Sequence, residues 1–129
     1  HQRLYHHIKA KTGVPILLHS DGSIASLIPD YIEIGVDILN PVQYTADKMD
    51  LASLKRDFGS DICFWGGGVD TQQTLPFGTP EQVSDEVKRC IDTLAPGGGF
   101  VFATVHNITE GVPLENILAA LQTARSYGV

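Results

Sequence analysis

The sequence predicts an α/β fold in which four parallel strands alternate with helices. Four short apolar runs are spread along the chain, and a stretch with helical apolar spacing follows each of them. Near-continuous apolar runs are typical of strands buried on both faces, as in parallel sheets covered by helices. Each run also ends in polar or glycine residues, at 19–22, 40–43, 66–70 and 106–107. In parallel α/β proteins, the loops after the strands converge on one face, so these ends predict a ligand-binding face.

The predicted strands follow the runs rich in Val, Ile, Leu and Phe. They cover residues 14–19, 36–40, 61–66 and 100–105. A long loop, 67–78, follows the third strand and is rich in Gly, Gln and Thr. Long loops in compact domains are usually functional, so we expect this loop to line a site.

Capping residues and glycines mark the ends of the first two helices. The first helix covers 1–11 and would end at Gly13, and the second would end at Gly35, because glycine accepts the left-handed conformation after a helix. Ser23 is a candidate cap for the second helix, and Pro29 fits the first turn of its second segment. Its predicted buried residues are Ile24, Leu27, Ile28, Tyr31 and Ile32.

Three more helices are predicted in the second half of the chain. Asp50 would cap a short helix that ends at Gly59, and its inward residues are Leu51, Leu54 and Phe58. Residues 79–82 read Thr-Pro-Glu-Gln, a capping box, before a helix that buries Val83, Val87, Ile91 and Leu94. The last helix begins near Pro113, and its predicted buried residues are Leu114, Ile117, Leu118 and Leu121.

Composition and charge exclude several classes of function. The 129 residues suit one domain, 1–129, with 43% hydrophobic content and a net charge of −6. That charge argues against nucleic acid as a partner, and no apolar run approaches the roughly 20 residues that span a bilayer. Cys63 and Cys90 have no CxxC spacing, so we interpret them as small core residues of a cytoplasmic protein.

Four strand–helix units fit either of two architectures. One is a small doubly wound domain, and the other is half of an eight-stranded barrel, which needs about 250 residues. The chain has no initiator Met and begins in helix-like sequence, so we expect a fragment of a longer chain. A half barrel has two unpaired sheet edges, to which missing chain or a second copy could pair.

Two strand ends carry side chains that suit a metal ion or acid–base chemistry. His19 and Asp21 lie two residues apart and project to the same side of extended chain, and imidazole and carboxylate both suit zinc. His106 follows strand four and could be a third ligand or an acid–base group. Alternatively, Asp21 caps the next helix, and both histidines only make structural hydrogen bonds.

The other strand ends predict residues that line a site. Asn40 and Gln43 offer amides to a polar ligand, although Asn40 could simply set a turn before Pro41. The glycines at 66–68 lack a phosphate-loop pattern, so we interpret them as positions of close backbone approach. Asp70 is either a catalytic carboxylate or a turn residue. The predicted substrate-binding residues are Asn40, Gln43, Gly67, Gly68 and Asn107.

The order and spacing of these motifs resemble the C-terminal half of the uroporphyrinogen decarboxylase superfamily. The motifs that carry this resemblance are 19–22 (HSDG), 35–41 (GVDILNP), 64–70 (FWGGGVD), 106–107 (HN) and 113–117 (PLENI). The resemblance implies a (β/α)8 barrel of which this chain forms the last four strand–helix units. It also implies a small-molecule substrate and a missing N-terminal half-barrel.

The superfamily holds two chemistries, and the resemblance implies different residues for each. Uroporphyrinogen decarboxylases, lyases of porphyrin biosynthesis, use no cofactor, and the resemblance implies that His106 and Asp70 orient an acidic tetrapyrrole-like substrate. Corrinoid-dependent methyltransferases use zinc to activate a thiol. Their His-x-Cys-Gly motif corresponds to 19–22, with Asp21 in place of Cys, and their later Cys lies nearest to His106.

The resemblance therefore favours a decarboxylase-family enzyme, with a methyltransferase as the alternative. A decarboxylase-family enzyme would use no cofactor. Under the methyltransferase alternative, His19, Asp21 and His106 bind a divalent metal such as zinc. A further alternative is a non-catalytic half-barrel that serves folding or assembly. In either enzymatic case, we expect the isolated chain to be inactive because it carries only part of the site.

Overall fold

The protein alternates strands and helices along the whole described chain. The computed structural model describes residues 1–127, so the last two residues of the predicted domain 1–129 lie outside the described residues. The strands are β1 (Leu17–His19), β2 (Ile38–Asn40), β3 (Cys63–Trp65) and β4 (Phe100–Val101). The helices are α1 (Gln2–Lys9), α2 (Ile28–Glu33), α3 (Leu51–Phe58), α4 (Thr74–Phe77), α5 (Pro80–Leu94) and α6 (Leu114–Ser126), and a 3-10 turn, Ala25–Leu27, precedes α2.

The four strands form one parallel sheet in the order β1-β2-β3-β4. His19 is level with Asn40, and Trp65 is level with Val101, so the carboxyl ends of neighbouring strands lie side by side. A doubly wound sheet reverses its strand order at the ligand crevice, whereas successive strands of a barrel are neighbours. The observed order is therefore that of an arc of a barrel, as the half-barrel prediction requires.

Among the described residues, helices cover only one face of the sheet. Leu39 and Phe64 lie at the centre of β2 and β3, and both are fully buried in the main core cluster together with residues of α2, α3 and α5. On the alternate positions, Leu17 is 46% exposed and Trp65 is 38% exposed. The prediction that the strands are buried on both faces thus holds for one face only, because side chains of alternate parity point away from the helices.

All four strands are shorter than predicted, and at the ends of β3 and β4 glycines change the backbone course. Gly66 and Gly67 have φ angles of 107° and 78°, which end regular pairing after β3. Pairing with the chain after β4 continues in an irregular form, since Gly68 N–H donates to Ala103 at 2.8 Å and Val105 N–H donates to Val69 at 3.0 Å. The segment 102–105 thus lies alongside 66–69.

The same glycines allow neighbouring backbone to approach closely. A Cβ atom on Gly66 would lie 3.3 Å from the Thr104 carbonyl oxygen and 3.4 Å from Cα of Pro41. A Cβ atom on Gly68 would lie 2.3 Å from Cε2 of Phe102 and 2.8 Å from the Ala103 oxygen. The chain after β4 therefore lies against the end of β3 and reaches toward β2, as the sequence interpretation of close approach predicted.

Several predicted helix ends are confirmed. Asp50 caps α3 by accepting a hydrogen bond from Ser53 N–H at 2.8 Å. Thr79 and Gln82 form the reciprocal capping box of α5. Gly35 follows α2 with a φ angle of 94°. Local capping chemistry was thus sufficient to place these three helix ends.

Other local predictions are wrong. Ser23 does not cap a helix, because its hydroxyl donates to the Asp47 carbonyl at 2.6 Å. Gly13 is not in the left-handed region, and α1 ends at Lys9. The predicted loop 67–78 contains the short helix α4, and Leu27 is exposed. Tertiary contacts and a nearby carbonyl acceptor outweigh the local signals at these positions.

The buried face of α6 was also predicted wrongly. Leu114, Leu118 and Leu121 are exposed, while Asn116 and Ala120 are buried. The Asn116 amide donates to the carbonyls of Leu75 and Gly78, at 2.9 and 2.8 Å, which ties α6 to the end of α4. Within residues 1–127, no helix combines the length and apolar character that crossing a membrane requires.

A buried carboxylate joins α5 to two strand-end loops. Glu86 is 8% exposed, accepts the Tyr44 hydroxyl and accepts Asp70 N–H at 3.2 Å. Burial, with the neighbouring Cys90 and Glu86, raises the pKa of the Tyr44 hydroxyl far above its ordinary value. Burial also raises the pKa of the Cys90 thiol to about 11, so this cysteine is an unreactive core residue.

We expect Gly68→Ala to destabilise the fold by about 1–3 kcal/mol, because overpacking against backbone cannot be relieved by a rotamer change. The matched control is Gly13→Ala, where a Cβ meets nothing within 4 Å. Urea unfolding of both variants measures the difference. A Gly68→Ala midpoint equal to that of Gly13→Ala would contradict the close approach.

We expect Tyr44→Phe to cost about 1.5–3 kcal/mol, because it removes a hydrogen bond to a buried carboxylate. Tyr31→Phe is the control, since the Tyr31 hydroxyl makes no hydrogen bond with another described residue, and it should stay within about 0.5 kcal/mol. Thermal and urea unfolding report both values. Equal stabilities of the two variants would refute a structural role for the Tyr44–Glu86 hydrogen bond.

Candidate functional site

The carboxyl ends of β1 and β2 place two polar side chains next to each other. His19 closes β1 and Asn40 closes β2 at the same register, so both project from the exposed face of the sheet. Nδ1 of His19 lies 2.7 Å from Oδ1 of Asn40. Nδ2 of Asn40 donates to the Trp65 carbonyl at the end of β3, at 3.0 Å. A chain of hydrogen bonds therefore crosses three strand ends.

The turn after β1 brings Asp21 to the other side of the His19 ring. Oδ2 of Asp21 lies 3.2 Å from Nε2 of His19. Gln43 holds the turn, since its Oε1 accepts the N–H of Gly22 at 2.8 Å. The two ring nitrogens of His19 therefore face different partners, one neutral amide and one carboxylate.

His106 completes the group from the far end of the sheet. Its ring centroid lies 6.1 Å from that of His19 in an edge arrangement. One ligand atom from each of His19, Asp21 and His106 can be chosen so that all three lie within 4.8 Å of one another. The segment 102–105, which lies against the glycines after β3, leads directly to His106.

Thr104 shapes the turn that presents His106, and sequence analysis missed it. Its hydroxyl donates to the His106 carbonyl at 2.6 Å, which is a local side-chain-to-backbone turn. The usable signal was a threonine two residues before a candidate histidine. Sequence analysis also missed the buried Glu86, which interrupts the apolar stripe of α5 between Val83 and Val87.

A pocket of about 190 Å³ opens beside these histidines. Its lining residues are His19, Asn40, Ala103, Thr104, Val105, His106 and Asn107. Two of the predicted substrate-binding residues, Asn40 and Asn107, line this pocket. None of the described lining residues is Lys or Arg, so the pocket has polar, imidazole-rich walls without a fixed cation.

The other predicted site residues, Asp70, Gly67 and Gly68, make backbone contacts. Asp70 is 2% exposed, and its two carboxylate oxygens accept the N–H groups of Gln72 and Gln73, at 3.2 and 2.8 Å. These bonds support the interpretation of Asp70 as a turn residue, and its catalytic role stays a prediction. Gly67 and Gly68 are buried spacers, and their contact with substrate stays a prediction as well.

A larger groove of about 570 Å³ lies between α4 and α5. Its walls include Phe77, Asp85 and Arg89, and it contains no histidine or cysteine. No set of metal-binding or nucleophilic side chains converges there. The chemistry-bearing residues of the described chain lie at the strand ends instead.

Two known proteins are similar to this chain along nearly its whole length. A methylated-thiol–coenzyme M methyltransferase of Methanosarcina mazei is 27% identical over 125 residues, which cover 97% of this chain and 30% of that protein. A solved structure of a methyltransferase from Methanosarcina mazei superposes with a TM-score of 0.74 at 19% identity, covering 99% of this chain and 36% of the other. This chain thus spans about a third of the length of these relatives.

The likeness to the solved structure, with the strand order β1-β2-β3-β4, confirms the α/β half-barrel. The model of the family described as uroporphyrinogen decarboxylase (URO-D) matches residues 1–127. Because that match spans the described chain, this protein belongs to the uroporphyrinogen decarboxylase family.

Proposed function

We propose that the strand-end face binds a divalent metal ion through His19, Asp21 and His106, and that the chain is part of a methyltransferase. The observation that carries this proposal is the convergence of one donor atom from each residue within 4.8 Å. These donors come from the ends of β1 and β4, which are far apart in sequence. Their convergence therefore depends on the whole fold rather than on one local turn.

The donor chemistry fits the ion. Two imidazole nitrogens and one carboxylate oxygen form a ligand set that zinc accepts in catalytic sites with an open position. Two ligands of a tetrahedral zinc ion lie about 3.3 Å apart, given bond lengths of roughly 2.0–2.1 Å. The separation of 3.2 Å between Nε2 of His19 and Oδ2 of Asp21 matches that value.

The residues of this chain would hold and orient the reactants. A metal bound here supplies Lewis acidity, which lowers the pKa of a coordinated thiol or water. His19 and Asp21 are each about half exposed, so a substrate can reach the donor atoms directly. Asn107 and the Thr104 turn border the space beside His106, where the acceptor would lie.

The relatives support this assignment without settling it. The similar protein of Methanosarcina mazei is named for methyl transfer from a methylated thiol to coenzyme M. The family description names decarboxylation instead, and that is the second candidate. An acidic tetrapyrrole needs cations beside its carboxylates, and the pocket walls offer none among the described residues. A decarboxylase would therefore need basic groups from outside these pocket walls.

We also propose that further strand–helix units of the same polypeptide cover the exposed sheet face. Leu17 and Trp65 are large apolar side chains that are 46% and 38% exposed on that face, and parallel sheets are normally covered on both faces. The relatives are about three times as long as this chain. A barrel interior formed with those units would bury both side chains and surround the strand-end pocket.

We expect the intact, untagged protein to bind about one zinc ion, and both His19→Ala and His106→Ala to weaken binding. Each loss should be at least as large as the ~10–100-fold typical of removing an outer-shell partner. Calorimetric titration with zinc, together with elemental analysis of purified protein, measures this. His7→Ala is the matched control, because His7 is an exposed histidine of α1 and should leave the affinity unchanged.

The decarboxylase alternative predicts the opposite outcome. Metal-free intact protein would then turn over uroporphyrinogen under anaerobic conditions, and added zinc would change nothing. That result, with elemental analysis showing no metal, would refute the methyltransferase assignment.

We expect the isolated segment 1–129 to self-associate through its exposed sheet face. Light scattering should show a mass that rises with concentration, and Leu17→Lys should reduce association. Leu121→Lys is the control, since it places the same charge on the exposed side of α6. Self-association through the exposed sheet face is contradicted if the segment is monomeric at all concentrations, or if Leu121→Lys alone abolishes association.

A further inference from the structure

The Asn40 side chain bridges His19 and the end of β3, and its two ends have different chemical roles. Nδ2 lies 3.0 Å from the Trp65 carbonyl oxygen, and Oδ1 lies 2.7 Å from Nδ1 of His19. We propose that Asn40 is a positioning residue that fixes the tautomer of His19 and leaves Nε2 free to bind a cation. The proposal rests on the proposed function, because it assigns the nitrogen through which His19 would act.

The orientation of the Asn40 amide follows from the chemistry of its neighbour. A backbone carbonyl can only accept hydrogen bonds, so the Trp65 oxygen requires the NH₂ end of the amide. The amide oxygen must then face His19. Since an amide oxygen is also only an acceptor, Nδ1 of His19 has to carry the proton in this contact.

A neutral imidazole has one N–H, so the proton on Nδ1 leaves Nε2 with a lone pair. That lone pair faces Oδ2 of Asp21 at 3.2 Å. Two acceptors that point toward the same space repel each other unless a second ring proton or a metal cation lies between them. Asn40 thereby turns the His19–Asp21 pair into a cation-binding pair, and its contact with Nδ1 of His19 holds the ring in place on the side opposite Asp21.

The sheet makes this arrangement rigid. His19 and Asn40 are register partners on adjacent parallel strands, so their backbones are held level by the ladder. The Trp65 carbonyl belongs to β3, so the Asn40 side chain on β2 contacts both neighbouring strands, β1 and β3. Outer-shell groups that bond the second nitrogen of a metal-binding histidine fix its tautomer and ring orientation in this way.

Long-range ¹H–¹⁵N correlation of the His19 ring tests the assignment in intact, metal-free protein. In the neutral ring we expect the Nδ1–H tautomer in the wild type. Asn40→Ala should give a mixture of tautomers, because the acceptor is lost. Asn40→Asp should keep Nδ1–H, because a carboxylate oxygen replaces the amide oxygen.

Zinc titration of the same variants gives a second, independent measurement. We expect Asn40→Ala to lower zinc affinity about 10–100-fold. Asn116→Ala is the matched control: Asn116 is a buried asparagine that also bonds two carbonyls, at the α4–α6 contact, so its loss affects stability alone. Its His19 tautomer and zinc affinity should equal those of the wild type.

The outcomes separate the two proposals. A wild-type Nε2–H tautomer, or an Nδ1–H tautomer that survives in Asn40→Ala, would overturn the role of Asn40 even if zinc binds. A wild-type Nδ1–H tautomer that is lost in Asn40→Ala supports that role even if no variant binds zinc, and the absence of binding then counts against the metal site alone.

Discussion

The close contact between the glycines after β3 and the chain after β4 is the constraint on which the site depends. A side chain at Gly68 would overlap Phe102 and the Ala103 carbonyl. Because glycine stands there, the segment 102–105 lies against the strand ends and carries His106 toward β1. β2 and β3 lie between β1 and β4 in the sheet, yet the rings of His19 and His106 have centroids only 6.1 Å apart.

A second set of contacts keeps that arrangement in place from the helix side. Glu86 on α5 accepts hydrogen bonds from Tyr44 in the β2–α3 loop and from the backbone of Asp70 after the glycines. One buried carboxylate therefore anchors the loops after two adjacent strands to the same helix. A buried charge is tolerated only when it is bonded, so the loops and the helix stabilise each other. The strand ends consequently share a rigid support.

The fold was predictable from sequence to the extent that local chemistry determines it. The four apolar runs, the capping box at Thr79 and the Asp50 cap signalled elements that the structure contains. The failures came where tertiary contacts decide. Leucine spacing on α6 suggested a buried stripe, but the helix instead buries Asn116, whose amide bonds carbonyls at the end of α4. Residues at the strand ends were identifiable, whereas the Asn40–Trp65 contact needs the sheet register, which a single sequence does not reveal.

Under the proposed methyltransferase role, Asp21 and His106 would take the places that thiolates hold in the corrinoid-dependent methyltransferases that the sequence resembles, and this would change how the site treats a methyl acceptor. A ligand set of one histidine and two thiolates cancels the charge of a divalent ion, whereas two histidines and one carboxylate leave a net charge of +1. A more positive site favours the anionic form of an incoming thiol, so deprotonation becomes easier. The same attraction lowers the nucleophilicity of the thiolate, since nucleophilicity falls as the pKa falls. If it held a metal as proposed, the donor set at His19, Asp21 and His106 would therefore favour binding of the acceptor over its reactivity. In such a site, a rate advantage would come from how the pocket orients the two reactants.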